Sequence, residues 1–179
     1  MTNTLQIKLL SESATMPKRE HDTDAGFDIY AAETVVLEPQ EKALIATDIA
    51  VNIPKGYVGL LTSRSGVSSK THLVIETGKI DAGYQGHMQI NIKNDYINLK
   101  EYDEAKIDTN YGDVMYPIYN VDGQANYDKI YDNPVYKINK GDRLAQLVIV
   151  PIITPELEQV EEFDSESARG EKGFGSSGI

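Results

Sequence analysis

Apolar residues in this chain come in short β-branched runs that alternate with polar residues and stop at turn residues. Around His87 the pattern is plain: Met88, Ile90 and Ile92 fall on every second position, the period of a half-buried strand. Similar runs predict strands over 34–37, 43–53, 57–61, 87–93, 144–153 and 157–163. Turn chemistry separates them at Pro39, at Pro54 to Gly56, at Asn139 to Asp142 and at Pro155. No stretch carries a long apolar stripe with helical period, and one or two helical turns over 65–71 are all that is expected. The pattern predicts an all-β chain, a barrel or jelly roll.

Two stretches depart from this pattern. Residues 98–133 keep no steady period and hold six of the eleven tyrosines, with eight acidic residues against three lysines. Such a stretch reads as a long insertion between two strands, either functional or a small unit of its own. Residues 164–179 are poor in large apolar side chains and rich in glycine and serine. They suit a frayed terminus, although Arg169, Phe174, Ser176 and Ser177 combine phosphate-binding groups with one aromatic, which is unusual for a spacer. The remainder, 1–97 with 134–163, reads as one β-barrel domain.

Composition narrows the chemistry. Acidic residues outnumber basic ones 28 to 17, a net charge of −11, which argues against a general nucleic-acid binder. A small anion remains possible because it responds to the local field. Cysteine is absent, which excludes disulfides, thiolate metal sites and thiol nucleophiles. No signal peptide and no membrane-spanning run are visible, so a cytoplasmic protein is expected.

Five short motifs carry candidate chemistry. Asp24 and Asp28 flank Gly26 and Phe27 in a turn that enters a strand. Arg64, Ser65 and Gly66 open the expected helix, where free N–H groups, hydroxyls and a guanidinium suit a phosphate, though a capped helix with a surface ion pair fits equally. Gly78, Lys79, Ile80, Asp81 and Tyr84 lie in a glycine-rich hairpin. Asp81 there takes a proton from water or merely closes its turn. Gly141, Asp142, Arg143 and Gln146 lead into a buried strand. The fifth motif runs from Arg169 through Phe174 and Gly175 to Ser177.

In this order the five resemble the motifs of the trimeric dUTPases, which split dUTP into dUMP and pyrophosphate. The insertion is similar to that of staphylococcal phage dUTPases. The resemblance implies a jelly-roll protomer in a homotrimer whose three active sites lie between subunits. It implies that water attacks the α-phosphorus in line, with Asp81 as base, and that Tyr84 lies against the deoxyribose. Backbone around Gly78, Lys79 and Ile80 would read uracil. Arg64, Ser65 and Gly66 would hold phosphates, and Gln146 the α-phosphate. Phe174 would stack on the base while Arg169, Gly175, Ser176 and Ser177 close on the γ-phosphate. Mg²⁺ would be held by the substrate phosphates, without a direct protein ligand set. Asp24 and Asp28 would act through water on that ion or, the preferred reading, support Arg64 and Arg143.

One position departs from the family: Ile75 stands where an asparagine often helps read the base. His21, His72 and His87 match no family role and read as surface or turn residues. A dCTP deaminase shares the fold but needs a glutamate in the third motif, which has Asp81 instead. An interaction role is the reading from another class. Phage relatives of this kind bind a repressor of mobile pathogenicity islands, and the tyrosine-rich, acidic stretch 98–133 suits such an interface.

Overall fold

Alternation becomes strand pairing almost throughout. In the computed structural model, which describes residues 4–97, 107–108, 114–165, 167 and 170, the chain opens with β1 (Gln6–Leu9), β2 (Gly26–Tyr30), β3 (Val35–Leu37), β4 (Lys42–Asn52) and β5 (Tyr57–Ser63). One helical turn, α1 (Ser65–Ser68), leads to β6 (Leu73–Ile75), β7 (Gly78–Ile80) and β8 (Met88–Asn94). Then follow β9 (Ile107–Asp108), β10 (Val114–Asn120), β11 (Ala125–Tyr131), β12 (Val135–Ile138) and β13 (Arg143–Pro151).

The all-β jelly roll expected from the pattern is present. One sheet runs β1-β4-β8-β6 and a second β2-β13-β5-β7. A third runs β11-β10-β12-β3 with β9 beside β10. All pairs are antiparallel except β10 with β12. Ile45 and Ile49 of β4, Ile90 and Ile92 of β8, Ile29, Leu61, Leu147 and Ile138 converge in one core, each at most 2% exposed. Burying each such side chain contributes about 1.5–3 kcal/mol. A one-residue slip would turn these chains to water, and that fixes the register.

Three expectations change. The helix is shorter than 65–71, because Ser69 already caps it and Thr71 turns its hydroxyl onto the Val67 carbonyl. No strand forms over 157–163; Leu157 and Phe163 are almost fully exposed there. Their pattern is strand-like, but among the described residues no sheet edge is offered to them. The expected insertion is also less separate than its composition suggests. Its strands β10 and β11 extend a core sheet through the Ile118–Val135 pairing.

The β10–β11 turn has a further anchor. Gly123 has φ +80°, and a Cβ added there would lie 2.3 Å from the Lys70 carbonyl oxygen, just past α1. The tip of the insertion is thus packed against the segment that follows the helix. A left-handed alanine alone costs roughly 1–2 kcal/mol. Gly123→Ala should lose clearly more than Gly141→Ala, whose φ is +89° but whose surroundings are open. Urea unfolding of both variants measures the difference, and equal losses would show the Lys70 contact to be loose.

Candidate active site

Strand β2 places Asp28 and Tyr30 on one face and Ile29 on the other, in the core. Asp28 is nevertheless only 3% exposed, and a buried carboxylate must be paired to be tolerated. Strand β13 supplies the partners. Gln146 stands directly opposite Asp28. Arg143, three residues earlier, would project to the opposite face of a regular strand. A bulge corrects this: Arg143 faces Tyr30 and Ala145 faces Ile29, so Leu144 is extra and Arg143 joins the face of Gln146. On the other side β5 pairs Thr62 with Gln146, and Arg64 returns over the same face.

The result is one carboxylate holding three motifs. Arg64 Nε donates to Asp28 Oδ1 at 2.9 Å and Gln146 Nε2 donates to the same oxygen at 3.2 Å. Arg143 Nη1 donates to Asp28 Oδ2 and to Glu20 Oε2, both at 3.2 Å. Among the described residues no partner takes the Nη groups of Arg64, which leaves them for a ligand. Asp24 acts one step further out: its Oδ2 accepts the N–H groups of Glu20 and His21 at 3.2 and 2.9 Å. It therefore fixes the turn that presents Glu20 to Arg143 and does not touch either arginine.

Arg64, Gly66 and Arg143 line a cleft of about 670 Å³. Lys18 and Lys70 add two cations to it, against Glu20, Asp122 and Asp142. Asp142 is occupied in its own turn, accepting the Asn139 N–H at 2.7 Å. Ser65 and Gly66 open α1, where backbone N–H groups lack helical acceptors. A Cβ at Gly66 would meet nothing within 4 Å, so an anion can approach this backbone closely. The far wall is Asn120, Val121 and Asp122, from the tip of the insertion.

The third motif is elsewhere on the chain. Ile80 faces Gly59 and Gly78 faces Leu61, so Asp81 lies level with Val58, six residues along β5 from Arg64. At strand rise this is about 20 Å. The resemblance brings Asp81 and Tyr84 to Arg64 and Gln146 across a subunit boundary, and within this single chain they lie apart. In the hairpin, Gly83 has φ +92° and Tyr84 N–H donates to Asp81 carbonyl at 3.1 Å. The Tyr84 ring lies over Gly86, where a Cβ would come within 2.6 Å of its hydroxyl oxygen. That hydroxyl donates to the His87 carbonyl at 3.0 Å. Asp81, Lys79 and Tyr84 are exposed, while Gly78 and Ile80 are half-buried.

Arg169, Phe174, Gly175, Ser176 and Ser177 lie outside the described residues. Lys18, Glu20, Tyr30, Lys70 and the tip of the insertion join the cleft without having been expected there. Tyr30 and Lys70 fall within the first and second motifs without a role assigned there, and no motif marks Lys18, Glu20 or the tip of the insertion, which turns and sheet pairing bring to the cleft. Ile75 is buried in β6, its side chain turned inward. Among the described residues no three His, Asp or Glu side chains group as metal ligands. Away from the cleft, the hydrogen bond and charge of Lys93 hold the exposed Asp95 carboxyl below the usual carboxylate range.

Known proteins share the fold and the sequence. The dUTPase family model matches residues 12–104 and 131–178, which leaves out most of the insertion. A Staphylococcus bacteriophage 80alpha dUTPase solved with dUpNHpp is 63% identical, with 99% of this chain and 100% of that chain covered and a TM-score of 0.88. Phage dUTPases are described there as controlling transfer of virulence genes by a G protein-like mechanism. The dUTPase of Staphylococcus aureus phage phi11, known for a species-specific insert, is 62% identical over 92% of this chain and 100% of that one, with a TM-score of 0.79. A variant of it served to define a structural Mg(II) ion. The deoxyuridine 5'-triphosphate nucleotidohydrolase of Mycobacterium marinum is 37% identical, over 99% of this chain and 97% of its own length.

Loss of the Asp28 charge should be felt by all three partners at once. A hydrogen bond to a charged group contributes about 1.5–3 kcal/mol, and breaking a fully buried ion pair costs about 3–5 kcal/mol. Both arginines reach water here, so Asp28→Asn is expected near the lower range in urea unfolding. Asp24→Asn, which affects only a turn, should cost less; the reverse order would show that Asp28 does not hold the cluster.

Proposed function

This chain belongs to the dUTPase family, and we propose that it hydrolyses dUTP to dUMP and pyrophosphate in the host cytoplasm, at sites shared between three copies. The observation that carries this reading is the division of the site: a phosphate-type cleft around Arg64 and Gln146 at one end of β5, and the Asp81–Tyr84 hairpin about 20 Å away. Groups that must meet at one nucleotide but lie apart in one chain are joined by a neighbour. The exposed, strand-like segment 152–163, with Ile153, Leu157 and Phe163 almost bare, is suited to lie against such a neighbour.

In the shared site Arg64, Ser65 and Gly66 hold the phosphates and Gln146 meets the α-phosphate. Backbone at Gly78, Lys79 and Ile80 reads the uracil edge, and Tyr84 packs against the deoxyribose where a 2′-hydroxyl would not fit. Asp81 orients a water in line with the α-phosphorus and takes its proton as the bond to pyrophosphate breaks. Arg169, Ser176 and Ser177 close on the γ-phosphate, the arginine supplying the charge, while Phe174 stacks over the base and Gly175 beside it contacts the substrate. Magnesium supplies charge neutralisation on the triphosphate when bound. The donor set fits an ion carried by the substrate: both Asp28 oxygens already accept from three side chains, and Asp24 closes a turn.

Asp81→Asn should retain binding of a non-hydrolysable dUTP analogue and lose turnover by a factor of about 10²–10⁴, the range of a positioned general base. Hydrolysis near the parent rate would remove Asp81 from its role. Ammonia release from dCTP, measured beside it, should be nil.

A second reading concerns the insertion, residues 98–133, as a unit that binds a repressor of mobile genetic elements. It is favoured by the phage relatives and by β11, a sheet-edge strand that exposes Tyr127 and Ile130. Hydrolysis is then carried by 1–97 with 134–163 and closed by the arm 164–179. Replacing 98–132 by a short linker should abolish repressor binding in a pull-down and keep dUTP turnover. Binding that survives the deletion would end this reading.

A further inference from the structure

His87 follows the glycine that ends the third motif, and nothing in the motif calls for a histidine there. Its ring Nε2 accepts the backbone N–H of Asp48 at 2.9 Å and lies 3.4 Å from Asp48 Oδ1. Its carbonyl oxygen accepts the Tyr84 hydroxyl at 3.0 Å. One residue thus joins the exposed tyrosine to the barrel wall.

The point of attachment on the wall is firmly held. In the β4–β8 pair Ala46 faces Gln89 and Ile49 faces Met88, so Thr47 and Asp48 are both extra. Asp48 has φ +52°, in the left-handed region that few residues adopt. Three contacts keep it there: Thr47 Oγ1 donates to the Met88 carbonyl, Ser11 Oγ donates to Asp48 Oδ2, and Leu10 N–H donates to the Asp48 carbonyl. The bulge ties the end of β1 to the start of β8 and aims an N–H at His87. Tyr84 has little hold of its own, since it is 47% exposed and rests on a glycine.

We infer that His87 is a positioning residue for sugar selection: it sets the carbonyl that anchors Tyr84, and so how closely the ring presses on the nucleotide C2′. The inference rests on the reading of Tyr84 as the wall against deoxyribose. A reacting group displaced by about 1 Å can change rates by roughly a hundredfold, and a ring that retreats as far gives a ribose hydroxyl room.

The test is kcat/KM for dUTP and for UTP in the parent, His87→Ala and His87→Gln, each repeated with Tyr84→Phe, alongside unfolding midpoints. His87→Ala should lower the preference for dUTP by about tenfold, mainly through faster UTP turnover. His87→Gln, whose amide oxygen can accept the Asp48 N–H, should keep most of it. With Tyr84→Phe the anchor is already gone, so His87→Ala should add little. An unchanged preference in His87→Ala, or an equal fall in both backgrounds, overturns the inference. A parent that accepts UTP as readily as dUTP refutes the role of Tyr84 instead.

Discussion

A buried carboxylate that three motifs must satisfy is the constraint on which the candidate site depends. Asp28 is buried on the edge strand β2, with β13 on one side and the isolated Lys18 bridge on the other, and a carboxylate there needs partners. Gln146 reaches it by direct cross-strand pairing, Arg143 by a bulge, and Arg64 from the end of β5, the strand beyond β13. Because both oxygens are occupied, the carboxylate orients side chains and leaves the open part of the Arg64 guanidinium facing the cleft. The first, second and fourth motifs are therefore a single electrostatic unit, although about 115 residues separate their ends.

The same sheet explains why the unit is incomplete. Its core face, with Ile29, Leu61, Ala145 and Leu147, is closed by aliphatic packing, while the opposite face carries polar groups at one end and the Asp81 hairpin at the other. Rigid strands preserve that separation. Chemistry needing both ends at one phosphorus is then a property of an assembly, and the exposed segment after β13 belongs to the same logic.

The insertion is not an appendage hung from a loop. Parallel pairing of β10 with β12 makes it part of a core sheet, and its tip at Gly123 packs on Lys70 just after the phosphate-type helix. Asn120 to Asp122 consequently wall the cleft. One hairpin thus exposes Tyr127 and Ile130 on its edge strand and lends its tip to the cleft.

Strand alternation, turn residues and motif order were sufficient to read the all-β class, the strands β3, β4, β5, β8 and β13, and the family. Arg64, Asp81, Tyr84 and Gln146 were legible as candidate site residues through their motifs and the family resemblance, while their placement in the fold was not. What sequence could not supply was any relation that depends on pairing across the chain. The Leu144 bulge that turns Arg143 to Asp28, the roughly 20 Å between Asp81 and Arg64, and the missing strand at 157–163 all come from register and available edges. His87 is the sharpest case. Read along the chain it is a turn residue, and only the Asp48 bulge, 39 positions away, gives it something to hold. Local periodicity records which way a side chain points, whereas long-range hydrogen bonding decides what it meets.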